Sequence, residues 1–467
     1  MEQIKLEDIK ARLSNNYDVI YRELVCGKEK ICIVNINDLC DAHYISQNII
    51  IPLINNQERH SDIDFVMKEV VTTTSIEEVA TLEQAIQAVL TAHVLIVFRK
   101  QGKAACCEAK GFPKRGIEIP VTETVIKGPR EGFTENIQDN LSAIRRRIKT
   151  PQFKVEHFIL GKESQTSVAM LYVDGRAPQN IVDFVRTKIN GINNKDYIFY
   201  VNHIEEALKC KSTPFDTIGY SEKPDVISSK IAEGRVAVIF DGTSFVISAP
   251  YFFIEHFQTT DDYTMNKFMA NIGRMLRWFA FAISTLLPGL YLALVTYHFR
   301  LIPSIFLFRM AIFRGGVPVP TVVELIYMTI FFQIIREAGV RLPQPIGPTL
   351  SIVGALILGD AAVSSGLASQ VTVVVVAITS IASYLIPKLY IAIFVWNMFM
   401  ILFAALLGLP GFFMGFILFV AHLAGLTTCG YPYLYPLGTL NRLKYKDVIF
   451  RGDLDRISDE ILIKDEN

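Results

Sequence analysis

No phosphate-cradling GxxxxGK[ST] loop, no HExxH and no GxSxG occurs in the 467 residues. Their absence leaves P-loop hydrolysis, zincin proteolysis and α/β-hydrolase chemistry without their defining parts. The eight histidines are scattered without metal-ligand spacing, so no metal, no cofactor and no enzymatic activity is expected. Net charge is missing too: 46 Lys and Arg balance 46 Asp and Glu, and nothing argues for nucleic acid as a partner. The seven cysteines form an odd set without a CxxC pair. Adjacent Cys106 and Cys107 would point to opposite faces of a strand, which fits free thiols in a reducing compartment. The opening stretch MEQIKLEDIKARLSNNYDVIY has no apolar core and no cleavage site. It does not read as a signal peptide, which places the soluble part in the cytosol.

What is present is a sharp division. Between Trp278 and Asn441 only nine of 164 side chains carry charge, whereas before Trp278 charges recur every few positions. The expected fold is therefore a cytosolic α/β module followed by a polytopic α-helical membrane domain. The first half reads as a duplication. One unit runs from a strand and helix at Lys30-ICIVNINDLCDAHYISQNIIIPL to two strands at His93-VLIVFRKQGKAACCEA. The other runs from Ser167-VAMLYVDGRAPQNIVDFVRTKI to Arg235-VAVIFDGTSFVISAP, with Asp241-Gly242 in the turn. VLIVF and VAVIF align, each followed by a polar turn and an apolar strand.

The expected boundaries are 1–110 for the first α/β subdomain, 111–129 for an extended Pro/Gly-rich linker, and 130–257 for the second subdomain. A membrane domain of four to six helices at 258–441 and a cytosolic tail at 442–467 follow. After the linker, Arg130-EGFTENIQDNLSAIRRRIK reads as a capped helix ending in Arg145, Arg146, Arg147 and Lys149. That run is either a solvated helix end, favoured by the helix dipole, or a contact for acidic partners or lipid headgroups.

A membrane span needs about 20 predominantly apolar residues. Trp278 to Phe299 supplies a first, with Pro288-Gly289 expected to kink it. Pro345 to Leu367, interrupted by Asp360, and Gln370 to Pro387 supply two more. Leu389 to Asn441 lacks Asp, Glu, Lys and Arg and fits one or two, broken at Gly408-Leu409-Pro410-Gly411. The segment Thr321-VVELIYMTIFFQIIREAG is apolar but carries Glu324, Gln333, Arg336 and Glu337. Thr329, Gln333 and Arg336 form a narrow polar stripe with Glu324 on nearly the opposite face, so this helix could lie in the interface, re-enter, or line a water path. Lys267, Arg274 and Arg277 before the first span, and Arg442, Lys444, Lys446 and Arg451 after the last, put both ends in the cytosol. Four crossings are preferred to six, and Arg300, Arg309, Arg314 and Arg341 then break the charge rule.

An ionisable side chain at bilayer depth normally faces a partner or a cavity. Glu324, Arg336, Glu337 and Asp360, with the polar Thr329 and Gln333, are therefore candidates for an ion path or gate. The plainer alternative places Asp360 near a helix end at the surface and pairs Arg336 locally with Glu337. The small residues between Gly354 and Gly366 would let helices pack closely, and His422 reads as an interhelical hydrogen-bonding group or a proton site.

Four segments in order resemble the A subunit of the GerA-type spore germinant receptors. They are Val125-IKGPREGFTENIQDNLSAIRRRI, then Thr213-PF with Ser221-EKPDVISSKIAEGRVAVIFDGTSFVISAP, Arg336-EAGVRLPQPIGPTL, and Ile352-VGALILGDAAVSSGL. The resemblance implies a multi-pass protein of the spore inner membrane with its two-subdomain head and C-terminal tail in the cytosol. It implies a transporter-like B subunit, a lipoprotein C subunit and membrane lipid as partners, and a homo-oligomeric, nutrient-gated cation channel that starts germination. In that family the helix before Arg-Glu-Ala-Gly usually carries two further acids, where this chain has Thr329 and Gln333. That departure keeps open a non-conducting auxiliary or scaffold, like the related protein encoded with the dipicolinate-channel genes. Arg145, Arg146 and Arg147 remain candidates for a subunit or partner contact. A secondary transporter ranks last, because the membrane half shows no inverted repeat.

Overall fold

The computed structural model describes residues 3–27, 29–56, 62–111, 123, 125–211, 213–342, 347–437 and 447–453. Most of the expected linker therefore lies outside the described residues, as do Arg442, Lys444 and Lys446.

The N-terminal half contains two five-stranded sheets. The first comprises β1 (Val19–Cys26), β2 (Glu29–Ile36), β3 (Ile76–Val79), β4 (His93–Phe98) and β5 (Lys103–Glu108), in the order β1-β2-β4-β5-β3. The second comprises β6 (Phe153–Leu160), β7 (Thr166–Val173), β8 (Gly219–Ser221), β9 (Val236–Phe240) and β10 (Val246–Ala249), in the order β6-β7-β9-β10-β8. Strand for strand this is one topology used twice, antiparallel throughout. The continuous apolar runs become central strands: in β4, Val94 to Phe98 are all fully buried, and β9 is buried along its length. The polar edge strands β1, β3, β6 and β8 were not legible, because their side chains alternate or the strands are only a few residues long. As expected, Cys107 points into the core and Cys106 to the more open face.

Helices α1 (Leu6–Arg12) and α2 (Leu82–Leu90) belong to the first sheet, with Thr81 accepting from the Gln84 amide at 3.3 Å as the cap of α2. The second carries α3 (Ile137–Arg145), α4 (Gln179–Ile192) and α5 (Pro224–Ala232), with α3 capped by Asn136. The two units meet edge to edge: Tyr17 donates its amide to the Val155 carbonyl at 3.2 Å, and Val155 donates to the Asn15 carbonyl at 3.3 Å. Beside this seam Asp38 is nearly buried, and one of its carboxylate oxygens has no hydrogen-bond partner. Burial first, then the neighbouring Asp18 charge, push its pKa up to about 7. The folded chain thus holds a proton that the unfolded chain releases near 3.8. The associated stability is complete below that pH and is lost as pH rises towards 7, at up to roughly 1.4 kcal/mol per pH unit. The sheets are therefore expected to resist urea better at pH 5 than at pH 8, and Asp38→Asn should flatten that slope.

The helical half begins with α6 (Lys267–Thr296), α7 (Ser304–Arg314) and α8 (Thr321–Arg341). It continues with α9 (Gly347–Ser364), α10 (Gln370–Tyr384), α11 (Tyr390–Leu407) and α12 (Leu409–Gly425). Lys267–Thr296 and Pro387–Leu407 are long and apolar enough to cross a membrane. Helix α6, 30 residues and about 45 Å long, continues through Pro288. Its Gly289 lies against the α11 backbone, where a Cβ would come within 3.0 Å of the Met400 carbonyl. Contacts fix the helix directions. The start of α6 is held at the α/β head by its arginines, and its end meets the end of α11 through Tyr297 and the Ala405 carbonyl. Tyr291, late in α6, bonds Thr372, early in α10, so these two run oppositely. Glu324 and Arg336 of α8 bond Thr372 and Ser383 of α10, so α8 and α10 run together. Helices α6, α8, α9, α10, α11 and α12 thus alternate away from and towards the α/β head. Helix α7 has no buried residue and lies at the far end.

Candidate functional site

Head and bundle are joined by a charged cluster. Arg274 is fully buried and bonds Asp262 at 3.2 Å and Asp447 at 2.7 Å; Arg277 bonds Asp262 at 2.5 and 2.7 Å and Thr259 at 2.6 Å. Tyr263 donates to Asp447 at 2.6 Å, and Arg451 donates its amide to Asn271 at 2.7 Å. Arg274 and Arg277, expected as charges flanking the first span, both lie inside this cluster. Sequence spacing offered no signal for it, because Arg274 and Asp447 lie 173 residues apart. Above it, Phe257 stacks on Trp278 with ring centroids 3.8 Å apart, and His256 bonds Tyr433 at 2.8 Å. Burial, reinforced by Lys388, lowers the His256 pKa to about 3, so this ring stays neutral at physiological pH. His422 bonds Thr213 of the head at 3.0 Å rather than a neighbouring helix.

The basic run is turned to internal use. Arg145 is buried and grips Asp18 with two hydrogen bonds of 2.8 Å, bonds Asn16 at 2.8 Å and stacks over Phe153 at 4.6 Å. It cannot reach another subunit, which corrects the expectation of a partner contact at that position. Arg146 and Arg147 share the Glu131 carboxylate. The periodicity of the helix could not show that Arg145 points inward, since its carboxylate comes from the other subdomain.

Among the bundle candidates, Glu324 is fully buried at the N-terminus of α10. One carboxylate oxygen accepts from the Ser369 amide at 3.3 Å, the Ser369 hydroxyl at 3.2 Å and the Thr372 hydroxyl at 2.8 Å. Arg314 stands 3.8 Å from the other. A carboxylate against free helix N–H groups is a favourable structural arrangement. Thr329, Gln333 and Arg336 line a crevice of about 30 Å³ between α8, α10 and α11, opposite Thr379, Ser383 and Asn397. The polar stripe read from the sequence is therefore real. Glu324 does not face away from it, however: both reach α10, one turn from opposite ends. Arg336 bonds Ser383 at 2.7 Å and lies over the rings of Tyr384 and Tyr390 at 4.3 and 5.5 Å. It does not pair with Glu337, which instead bonds Arg341 at 2.6 Å. Asp360 stands apart from all of these, exposed on α9 with Val353, Leu356 and Ile357, and without an ion pair among the described residues.

These features define a class: a duplicated antiparallel α/β head clamped to a bundle of alternating apolar helices. The chain matches, over residues 7–460, the family model described as Bacillus/Clostridium GerA spore germination protein, and it belongs to that family. It is 34% identical to spore germination protein KA of Bacillus subtilis (strain 168), over 96% of this chain and 83% of that one. It is 32% identical to the membrane protein YfkQ of the same strain (96% and 88%), and 30% identical to spore germination protein GerLA of Bacillus cereus (97% and 94%). The crystal structure of the N-terminal domain of the A subunit of the Bacillus megaterium spore germinant receptor GerK3 overlaps 54% of this chain and 98% of its own, at 22% identity and a TM-score of 0.41.

Proposed function

We propose that this chain is the A subunit of a nutrient germinant receptor in the spore inner membrane. In this reading identical copies form a ring whose axis conducts monovalent cations, with a transporter-like B subunit and a lipoprotein C subunit as partners. All six alternating helices cross the bilayer. Arg336 and Arg341 then fall on the cytosolic side, and Arg314 on the far side is partnered by Glu324, which eases the conflict that four crossings leave with the charge rule.

The observation that carries the reading is Asp360. It lies about 20 Å along α9 on an outward apolar stripe, and an ionised carboxylate there costs roughly 2.5–3.5 kcal/mol if it meets lipid. Closed rings of copies give such a group an aqueous axis to face. With the Glu324 carboxylate bound at a helix end, Asp360 is the stronger candidate to attract cations. Asp360→Asn, at matched protein levels, is expected to slow potassium release from spores on nutrient addition by roughly tenfold, the lower range of electrostatic focusing. Glu337→Ala should have a smaller effect, because Arg341 already engages that carboxylate. Unchanged release with Asp360→Asn would favour the second reading, a non-conducting scaffold for other germination proteins. Thr329 and Gln333, standing where the family resemblance leads one to expect acids, speak for that second reading.

A further inference from the structure

We propose that the end of the crevice nearest the α/β head binds the phosphate of an anionic phospholipid, with Arg336 as its charged anchor. The inference rests on the reading that the six helices cross the bilayer, and it stands whether or not a ring of copies conducts.

Contacts fix the level of the site. Helix α10 ends at Tyr384 and α11 begins at Tyr390. Between them Lys388 bonds Glu123 at 2.8 Å and lies over the Tyr220 ring of β8 at 5.4 Å, so this turn touches the head. Tyr384 and Tyr390 both line the crevice, which places that end of it beside the head. In a spanning bundle this is the headgroup level of the leaflet on the head side, where tyrosines and basic side chains gather.

Charges near that end are matched in pairs, with one exception. Glu337 bonds Arg341 at 2.6 Å, and Glu123 bonds Lys388. Arg336 is the exception, with no carboxylate partner among the described residues. One of its nitrogens bonds Ser383 at 2.7 Å, and the rings of Tyr384 and Tyr390 lie 4.3 and 5.5 Å from the guanidinium carbon. A guanidinium has five N–H donors, and ring contacts consume none of them. Gln333 and Ser380 add neutral donors to the lining. A half-buried cation with such neighbours and no acid beside it calls for an anion. The acceptors Thr329 and Asn397 lie about 10 Å deeper along α8 and α11, beyond hydrogen-bond reach of that anion.

Size and surroundings choose among anions. About 30 Å³ admits one or two oxygen-sized groups. That is enough for the two unesterified oxygens of a phosphodiester, which a planar guanidinium can meet side by side. The ester substituents then stay outside, and the surface they meet is apolar. Ile330 and Ile334 of α8 and Ile391 of α11 are 39%, 58% and 52% exposed. By helical spacing the first two lie within about 100° of Gln333, and Ile391 lies about 60° from Phe394, another lining residue. Acyl chains fit that surface, whereas a free phosphate gains nothing from it.

The test is native mass spectrometry of the detergent-solubilised full-length protein, titrated with phosphatidylglycerol or phosphatidylcholine. Phosphatidylglycerol should be retained at about fivefold lower concentration than phosphatidylcholine. Arg336→Gln should remove that preference, and Arg336→Lys should keep part of it. Gln333→Leu should weaken phosphatidylglycerol retention about threefold, and it carries the test if Arg336→Gln does not fold. Millimolar inorganic phosphate should leave the lipid in place. Equal retention of the two lipids, or a preference that survives these substitutions, would overturn the site. Displacement by phosphate would overturn the lipid as its occupant and assign the crevice to a free anion. Release of the wild-type chain from membranes by alkaline carbonate would instead overturn the spanning reading, and that is measured separately.

Discussion

Arg145→Ala is expected to cost about 3–5 kcal/mol, the usual penalty for stranding one partner of a buried ion pair. Asp18 would then be left in the seam without the guanidinium that meets both its oxygens at 2.8 Å. The cation stacked over Phe153 is lost as well. Because the pair joins two separately cored sheets, the damage should be local to the seam. Hydrogen exchange of the full chain should accelerate at residues 15–19 and along β6 while β4 and β9 keep their protection. Uniform loss of protection would mean that the two sheets unfold as one unit. Arg145→Lys should recover only part of the loss, since an ammonium cannot make the two-pronged contact.

Asp262→Ala should produce the second large effect. One carboxylate there serves both Arg274 and Arg277, which are 0% and 8% exposed. Its removal leaves Arg277 without its carboxylate partner in the junction and Arg274 with Asp447 alone. A loss of about 3–5 kcal/mol is expected at this one site. It should appear as a lower Tm of the detergent-solubilised chain and faster proteolysis between the head and α6. Asp262→Asn, which keeps the shape and one acceptor, should show an intermediate loss. An unchanged Tm in both variants would mean that Asp447 alone suffices to neutralise the pair.

Both predictions rest on contacts that the sequence could not disclose, and the reason is the same in each. Local periodicity reports which face of an element is apolar; it does not report which distant residue will cover a charge on that face. The central strands were legible because VLIVF and VAVIF have no polar side to expose, and the repeated order of strand, helix and hairpin followed from them. The edge strands were not, since IEEV in β3 and GYS in β8 are too short or too polar to stand out. Arg145 looked like part of a solvated cluster because Asp18 lies 127 residues earlier. In the bundle, the stripe of Thr329, Gln333 and Arg336 was legible from helical spacing. The partners Thr379, Ser383 and Asn397 were not, as hydroxyls and one amide in apolar helices carry little signal until the helices pack. Asp360 was legible as an intruding charge, but its outward direction depends on which neighbours α9 acquires.

The junction cluster also has a meaning for biosynthesis. Arg274 leaves the ribosome 173 residues before Asp447, a delay of roughly 10–30 s at ordinary elongation rates. Throughout that interval the first helix is in place while its anchoring arginine lacks one of its two acids. A chain cut short anywhere in the bundle keeps that defect permanently. The clasp therefore closes only once the chain has been translated through Asp447, and until then the seat of the head lacks one of its two acids.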